Sequence, residues 1–239
     1  MKVSGFTLIE MVITMVISGI IVLGIAGFVE FGTKGYADAI DRQRLQTQAK
    51  FTLEKISREI RHAVPNSFDD SNLSGAVSCL SFYPIDYSGF YAISGANLDF
   101  ILGSDNVDSN DVINGGHKLI INPTKVEDFT SAIDVMPINT TVSASIYTVS
   151  NASSSISSES VANRQYLFSE QVVYCLISNG DSMSLFRDTV QVADSINSGS
   201  FDYLSANAQR GGTVLINIEF SQSSETTNYQ QEVQVLNVP

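Results

Sequence analysis

The sequence predicts an α+β protein, a long N-terminal α-helix packed on an antiparallel, β-rich globular head. Three observations carry this. Nineteen residues without a charge run from Met11 to Val29, close to the roughly 20 apolar residues, at 1.5 Å each, that cross a bilayer. Apolar or small residues then recur at mostly three- to four-residue spacing through Ile40, Leu45, Ala49, Leu53, Ile56, Ile60 and Val64, the period of a helix with one buried face. Beyond Pro65 the pattern changes to short aromatic and β-branched runs separated by turn residues, which is how strands read.

The helix begins with Thr7-x-x-Glu10, a capping box in which each side chain satisfies a free backbone N–H. The positive end of the helix dipole favours the same carboxylate. Inside an apolar span, however, an unpaired carboxylate costs about 2.5 to 3.5 kcal/mol on insertion scales, so a residue there usually has a partner. A secretory signal peptide fits poorly: only Lys2 precedes the run, and Gly27-Phe28-Val29-Glu30 offers no small-residue cleavage site. Pro65 and Asn66 stop the helix, because the residue before a proline is pushed out of the α region. From Phe6 to about Ala63 it would extend roughly 87 Å, with residues 6–30 as anchor and the rest as a stripe for docking the head.

Strands are expected at Ala76 to Ile85, Asn97 to Leu102, His117 to Asn122, Thr141 to Val149, Gln165 to Phe168 and Val172 to Ile177. Asn179-Gly180-Asp181 reads as a turn whose returning partner is Met183 to Asp188. Thr213 to Phe220 and Tyr229 to Val238 make a second hairpin around Ser223 to Asn228, while serine-rich Ser150 to Asn163 and polar Gly103 to Gly116 read as loops.

The net charge of −12 is unevenly placed: Glu30 to His62 holds seven Lys/Arg and five Asp/Glu, and Ala63 to Pro239 five and nineteen. That balance disfavours a nucleic-acid groove, which relies on clustered Lys and Arg. Two cysteines, Cys79 and Cys175, sit in strand-like runs. In an oxidising compartment they pair in one way only, and we expect the bridge; two buried thiols are the alternative. No nucleophile elbow, H-E-x-x-H, phosphate loop or C-x-x-C occurs, and His62, in the last helical turn, and His117, opening a strand, lack catalytic surroundings. We therefore expect no enzyme. Asn106-x-Asp108-x-Asn110, with Asp105 and Asp111, has the alternating oxygens of a calcium loop. Asp111 stands where that loop needs glycine and His117 where it needs glutamate, so a solvated turn is preferred to calcium at Asp105, Asp108 and Asp111. Asp69-Asp70 also reads as an exposed turn. Tyr87, Phe90 and Tyr91 are candidates for a ligand platform, with core packing as the commoner use of such residues.

Gly5-Phe6-Thr7-Leu8-Ile9-Glu10 ahead of the anchor resembles the leader of type IV pilins and type II secretion pseudopilins. The resemblance implies a type IV pilin-like fold, a leader of residues 1–5 cut after Gly5 by a prepilin peptidase, N-methylation of Phe6, and a role for Glu10 in pairing with a neighbouring subunit's terminal amine. Many major pilins carry a proline in the second half of this helix, where this chain has Gly24 and Gly27. Arg58 to Ser67, Cys79 to Ile85, Tyr166-Leu167-Phe168, Val172 to Cys175, Leu185-Phe186-Arg187 and the ending Val233 to Pro239 are similar to minor pilins of the MshO type, from the mannose-sensitive haemagglutinin (MSHA) pilus system. What this implies is a head of residues 64–239 in the periplasm, an inner-membrane anchor in contact with lipid, and partners among other minor and major pilins and the assembly platform. A type II secretion pseudopilin shares leader, helix and β head, and a pilus-tip adhesin is the binding-module alternative.

Overall fold

The computed structural model describes residues 7–71, 76–104, 107–180, 182–206, 211–222 and 225–235. The chain divides into two compact units, Met1–Thr47 and Gln48–Pro239. One 54-residue helix, α1 (Leu8–Arg61), supplies all the described secondary structure of the first unit and opens the second.

Within the second unit the helical stripe is buried as its spacing demands: Ala49, Ile56 and Ile60 are 0 % exposed and Leu53 is 7 %. Ile40, from the same pattern, stays 46 % exposed. The helix ends two residues before the expected Ala63. His62 and Ala63 donate to carbonyls three residues back, Glu59 and Ile60, a tightened turn that often closes a helix. His62 lies just past the end, and Asn66 takes a left-handed φ of 58°, which asparagine tolerates. The chain then joins the head edge-on, Val64 N–H donating to the Tyr83 carbonyl at 2.8 Å.

The strands are β1 (Ala76–Phe82), β2 (Tyr87–Ser94), β3 (Asn97–Leu102), β4 (Lys118–Ile120), β5 (Ile133–Asp134), β6 (Thr140–Ser143), β7 (Ile146–Val149), β8 (Arg164–Phe168), β9 (Val172–Ser178), β10 (Met183–Arg187), β11 (Val190–Leu204), β12 (Thr213–Gln222) and β13 (Glu225–Gln234). They form two sheets, ordered β1-β9-β10-β11-β12-β13 and β5-β4-β8-β2-β3-β7-β6. Every pairing between them is antiparallel. The long β11 is shared, pairing β10 up to Ile196 and β12 from there on, with a bulge between Ile196 and Ser198 and Ser195 at φ 55°. A bulge bends and twists a strand, which lets one chain segment serve two neighbours. The second sheet buries Leu98, Phe100, Leu119, Tyr147 and Leu167 on one face. Ile120, Tyr166 and Phe168 on the other pack with Val64 and Phe129.

Several expectations need correction. Thr141 to Val149 is a tight hairpin, because Ala144 and Ser145 both take positive φ, 48° and 65°, which folds β6 back on β7. Glu225 to Asn228, expected in the turn, belongs to β13 and pairs with Gln222 to Glu219 of β12. The Gly103 to Gly116 loop contains a helix, α2 (Ser109–Asn114), and the serine-rich loop a 3₁₀ turn at Ser153–Ser155. Asp69 is no simple exposed turn: it exchanges both backbone hydrogen bonds with Ser81. Three strands went unforeseen, β2, the two-residue β5 and β11. The Asn179-Gly180 turn is present, with Gly180 at φ 83°, a conformation glycine adopts at no steric cost.

Candidate functional site

The candidate site is the first half of α1. Leu8 starts the helix, and Glu10 N–H donates to Thr7 Oγ1 at 3.4 Å, a long bond that is one half of the capping box. Met11 N–H reaches the Thr7 carbonyl at 3.3 Å. Glu10 lies in the first turn and is exposed. Gly5 and Phe6 lie outside the described residues.

From Leu8 to Phe31 the large apolar side chains are exposed, among them Leu8 at 84 %, Leu23 at 75 % and Phe28 at 80 %. α1 is long and apolar enough to cross a membrane by length and composition. A cylinder of bare Ile, Val, Leu and Phe is stable only in lipid or against other apolar helices. Thr14 and Thr33 hide their hydroxyls by donating to carbonyls one turn back, Met11 at 2.9 Å and Val29 at 2.9 Å. Glu30 and Lys34 pair at 2.8 Å, both exposed, where the apolar run ends. No atom lies within 4 Å of a Cβ built on Gly24 or Gly27, so these positions admit close approach by another helix.

A second feature fixes the end of α1 in the head. Glu59 accepts from Tyr174 Oη at 3.0 Å and from Arg187 Nε at 3.1 and 3.0 Å, and Arg187 Nη1 also reaches Asp188 at 2.9 Å. Burial, reinforced by the Glu59 charge and hydrogen bond, pushes the Tyr174 phenol well above its ordinary 10.0. Burial alone would lower Arg187, but the hydrogen bond and charge of Glu59 outweigh it and raise the guanidinium. Sequence reasoning passed over this trio; its one trace is a charged residue wedged between the buried positions Ile56 and Ile60. Glu59→Ala leaves Arg187 without its main partner and Tyr174 without an acceptor. We expect a loss of about 2 kcal/mol, measured by thermal unfolding of the detergent-solubilised full chain. A phenol with a raised folded pKa stabilises below its unfolded value of 10.0 and loses that contribution as pH rises through the folded value. The alkaline limb of stability therefore begins near pH 10 and is shallower in Tyr174→Phe.

Cys79 and Cys175 are joined by a disulfide, directly opposite one another on β1 and β9 with Cα atoms 4.2 Å apart. The aromatic trio does not converge. Tyr91 is 6 % exposed and its hydroxyl accepts from Ser160 N–H at 3.0 Å, Tyr87 stands edge-on to His117, and Phe90 points out of the other face. Asp108 caps α2, accepting from Asn110 N–H at 2.8 Å, and Asp111 lies in its first turn. Asp105 and Asn106 lie outside the described residues, among which no three His, Cys, Asp or Glu side chains gather to hold a metal. His117 instead faces the Val112 carbonyl at 3.1 Å and Asp86 at 3.6 Å.

Residues 1–26 match the family model for the prokaryotic N-terminal methylation motif. Comparison with curated proteins gave no match. Comparison with solved structures gave none either. The long apolar helix followed by antiparallel sheets is an α+β arrangement consistent with the type IV pilin-like fold, and the motif supports a protein of type IV pilin type. Such a motif implies processing by a prepilin peptidase and association with other pilins, and with the apolar helix it points to membrane anchoring.

Proposed function

We propose that the chain is a minor pilin of the MshO kind, which takes part in assembling or initiating an MSHA-type type IV pilus through its N-terminal helix. The observation that carries this reading is Gly5-Phe6-Thr7-Leu8-Ile9-Glu10 ahead of an exposed apolar helix within the matched motif. In it, prepilin peptidase cuts after Gly5, Phe6 becomes the N-methylated N-terminus, and Glu10 pairs with the terminal amine of a neighbouring subunit. The anchor crosses the inner membrane once with the head in the periplasm, until apolar helices of other subunits replace lipid around it. The role is structural and needs no cofactor.

Mass spectrometry of the N-terminal peptide tests the processing step. The expected species begins at methylated Phe6, and Gly5→Ala accumulates uncut. An intact Met1 terminus in assembled protein would sink the reading. Purification of the full chain with its neighbours separates the pilus from the alternative: recovery with a secretion apparatus and no pilus proteins reassigns it as a type II pseudopilin.

A further inference from the structure

Two exposed faces of the second unit are complementary in charge. On α1, Phe51 is 65 % exposed, although the residues on the buried stripe beside it are nearly inaccessible. Helical spacing sets Lys55 and Arg58 on its face, with Lys50 and Arg61 at the flank. Glu54, three residues from Phe51, shares this face as its one carboxylate, since Glu59 is turned onto Tyr174 and Arg187. The result is an aromatic ring on a face where four cations, Lys50, Lys55, Arg58 and Arg61, outnumber the single Glu54.

The other face is the outward side of β11, β12 and β13. Their registers place Asp202, Leu215 and Glu232 in one row, Ser200, Asn217 and Gln230 in the next, and Ser198, Glu219 and Asn228 in the third. The alternating neighbours Phe201, Ile216 and Val233 are 3 %, 1 % and 1 % exposed, so these rows face away from the core. Ser198 and Ser200 donate to Glu219 and Asp202. From Val190 to Val235 the sequence contains one cation, Arg210, which lies outside the described residues. The face is therefore acidic around an apolar Leu215.

We propose that the Phe51 face of one copy docks on the β11–β13 face of a second copy, Phe51 seated near Leu215 and Lys55 and Arg58 among Asp202, Glu219 and Glu232. A second copy is the occupant because one chain carries both halves of the match, basic with an aromatic centre and acidic with an aliphatic one. Opposite potentials guide encounter and fix register. The two faces differ, so each contact leaves one of each unfilled and further copies add head to tail instead of closing as a two-fold dimer. Nothing in it uses Glu10 or the anchor, so it goes beyond the assembly role proposed above.

The test uses full-length chains in membranes, one tagged copy carrying Arg58→Cys and a differently tagged copy carrying Glu232→Cys. The native cysteines are bonded to each other, which leaves each introduced thiol as the one to react. Mild oxidation is expected to give a mixed dimer when both copies are present and none from either alone. Adding Lys55→Glu to the first copy lowers the yield at least about threefold, by like-charge contact, and adding Glu219→Lys to the second restores it. Equal dimer from Arg58→Cys alone, linkage to a different protein in place of the second copy, or a loss that Glu219→Lys does not recover would each overturn the contact. So would absence of the mixed dimer from variants whose heads resist protease like wild type. If either head is protease-sensitive, Lys55→Cys and Gln230→Cys probe the same two faces with the same expectations. The readout is a linked pair of heads, so a wrong assignment of the filament leaves it standing.

Discussion

Glu10→Gln is expected to leave membrane insertion and cleavage after Gly5 intact while cutting recovery of partner pilins in a pull-down by about tenfold or more, a change of roughly 1.4 kcal/mol or above. A capping box accepts glutamine as readily as glutamate. The bond described at this turn runs from the Glu10 backbone N–H to Thr7, which the substitution does not touch. What the change removes is charge. If the carboxylate neutralises a neighbour's terminal amine, its loss strands a cation among apolar helices at a penalty of several kcal/mol. A subunit at a filament end lacks one such neighbour, so the loss is partial there. Wild-type recovery would reduce Glu10 to a helix cap.

Replacing Cys79 and Cys175 by serine is expected to have the largest effect on stability. The bridge closes a sequence separation of 96 residues, for which the chain-entropy model gives roughly 4 to 5 kcal/mol as a ceiling. Cys79 is 1 % exposed and Cys175 8 %, so the new hydroxyls also enter a buried strand pair. A net loss of about 3 kcal/mol lowers Tm by roughly 6 to 12 °C for a unit of this size, read by thermal unfolding of the solubilised full chain. An unchanged Tm would show that the ladder between β1 and β9 suffices without its covalent tie.

Periodicity made α1 legible because an amphipathic stripe and an uninterrupted apolar run are properties of local sequence. Ala49, Leu53, Ile56 and Ile60 are buried where the spacing placed them. Strands with strong β-branched runs, such as Val172–Ser178, were equally plain. β11 was not, because Asp, Ser, Asn and Gly fill it: VQVADSINSGSFDYL reads as loop, and only pairing on both edges makes it a strand. β2 was hidden for a related reason, with Ser88 and Gly89 interrupting the pattern that Tyr87, Phe90 and Tyr91 begin. At the candidate site, Gly5 to Glu10 within the matched motif carried the reading, and Gly5 and Phe6 lie outside the described residues. The Glu59 cluster joins residues 115 and 128 positions apart, a distance at which local pattern says nothing.

That cluster also sets a route for mechanical force. Tension drawn along α1 toward its N-terminus is met by the buried stripe of Ala49, Ile56 and Ile60 and, as directed polar contacts, by the bonds of Glu59 to Tyr174 on β9 and Arg187 on β10. Tyr174 adjoins Cys175, whose sulfur is covalently bound to β1. A pull on the helix therefore reaches a strand held by a covalent bond within one residue, and the load is shared between β9 and β1 instead of peeling one strand from its neighbour. The contact at Glu59 is partly buried and non-covalent, so it can open and close under load, whereas the sulfur–sulfur bond beneath it is covalent.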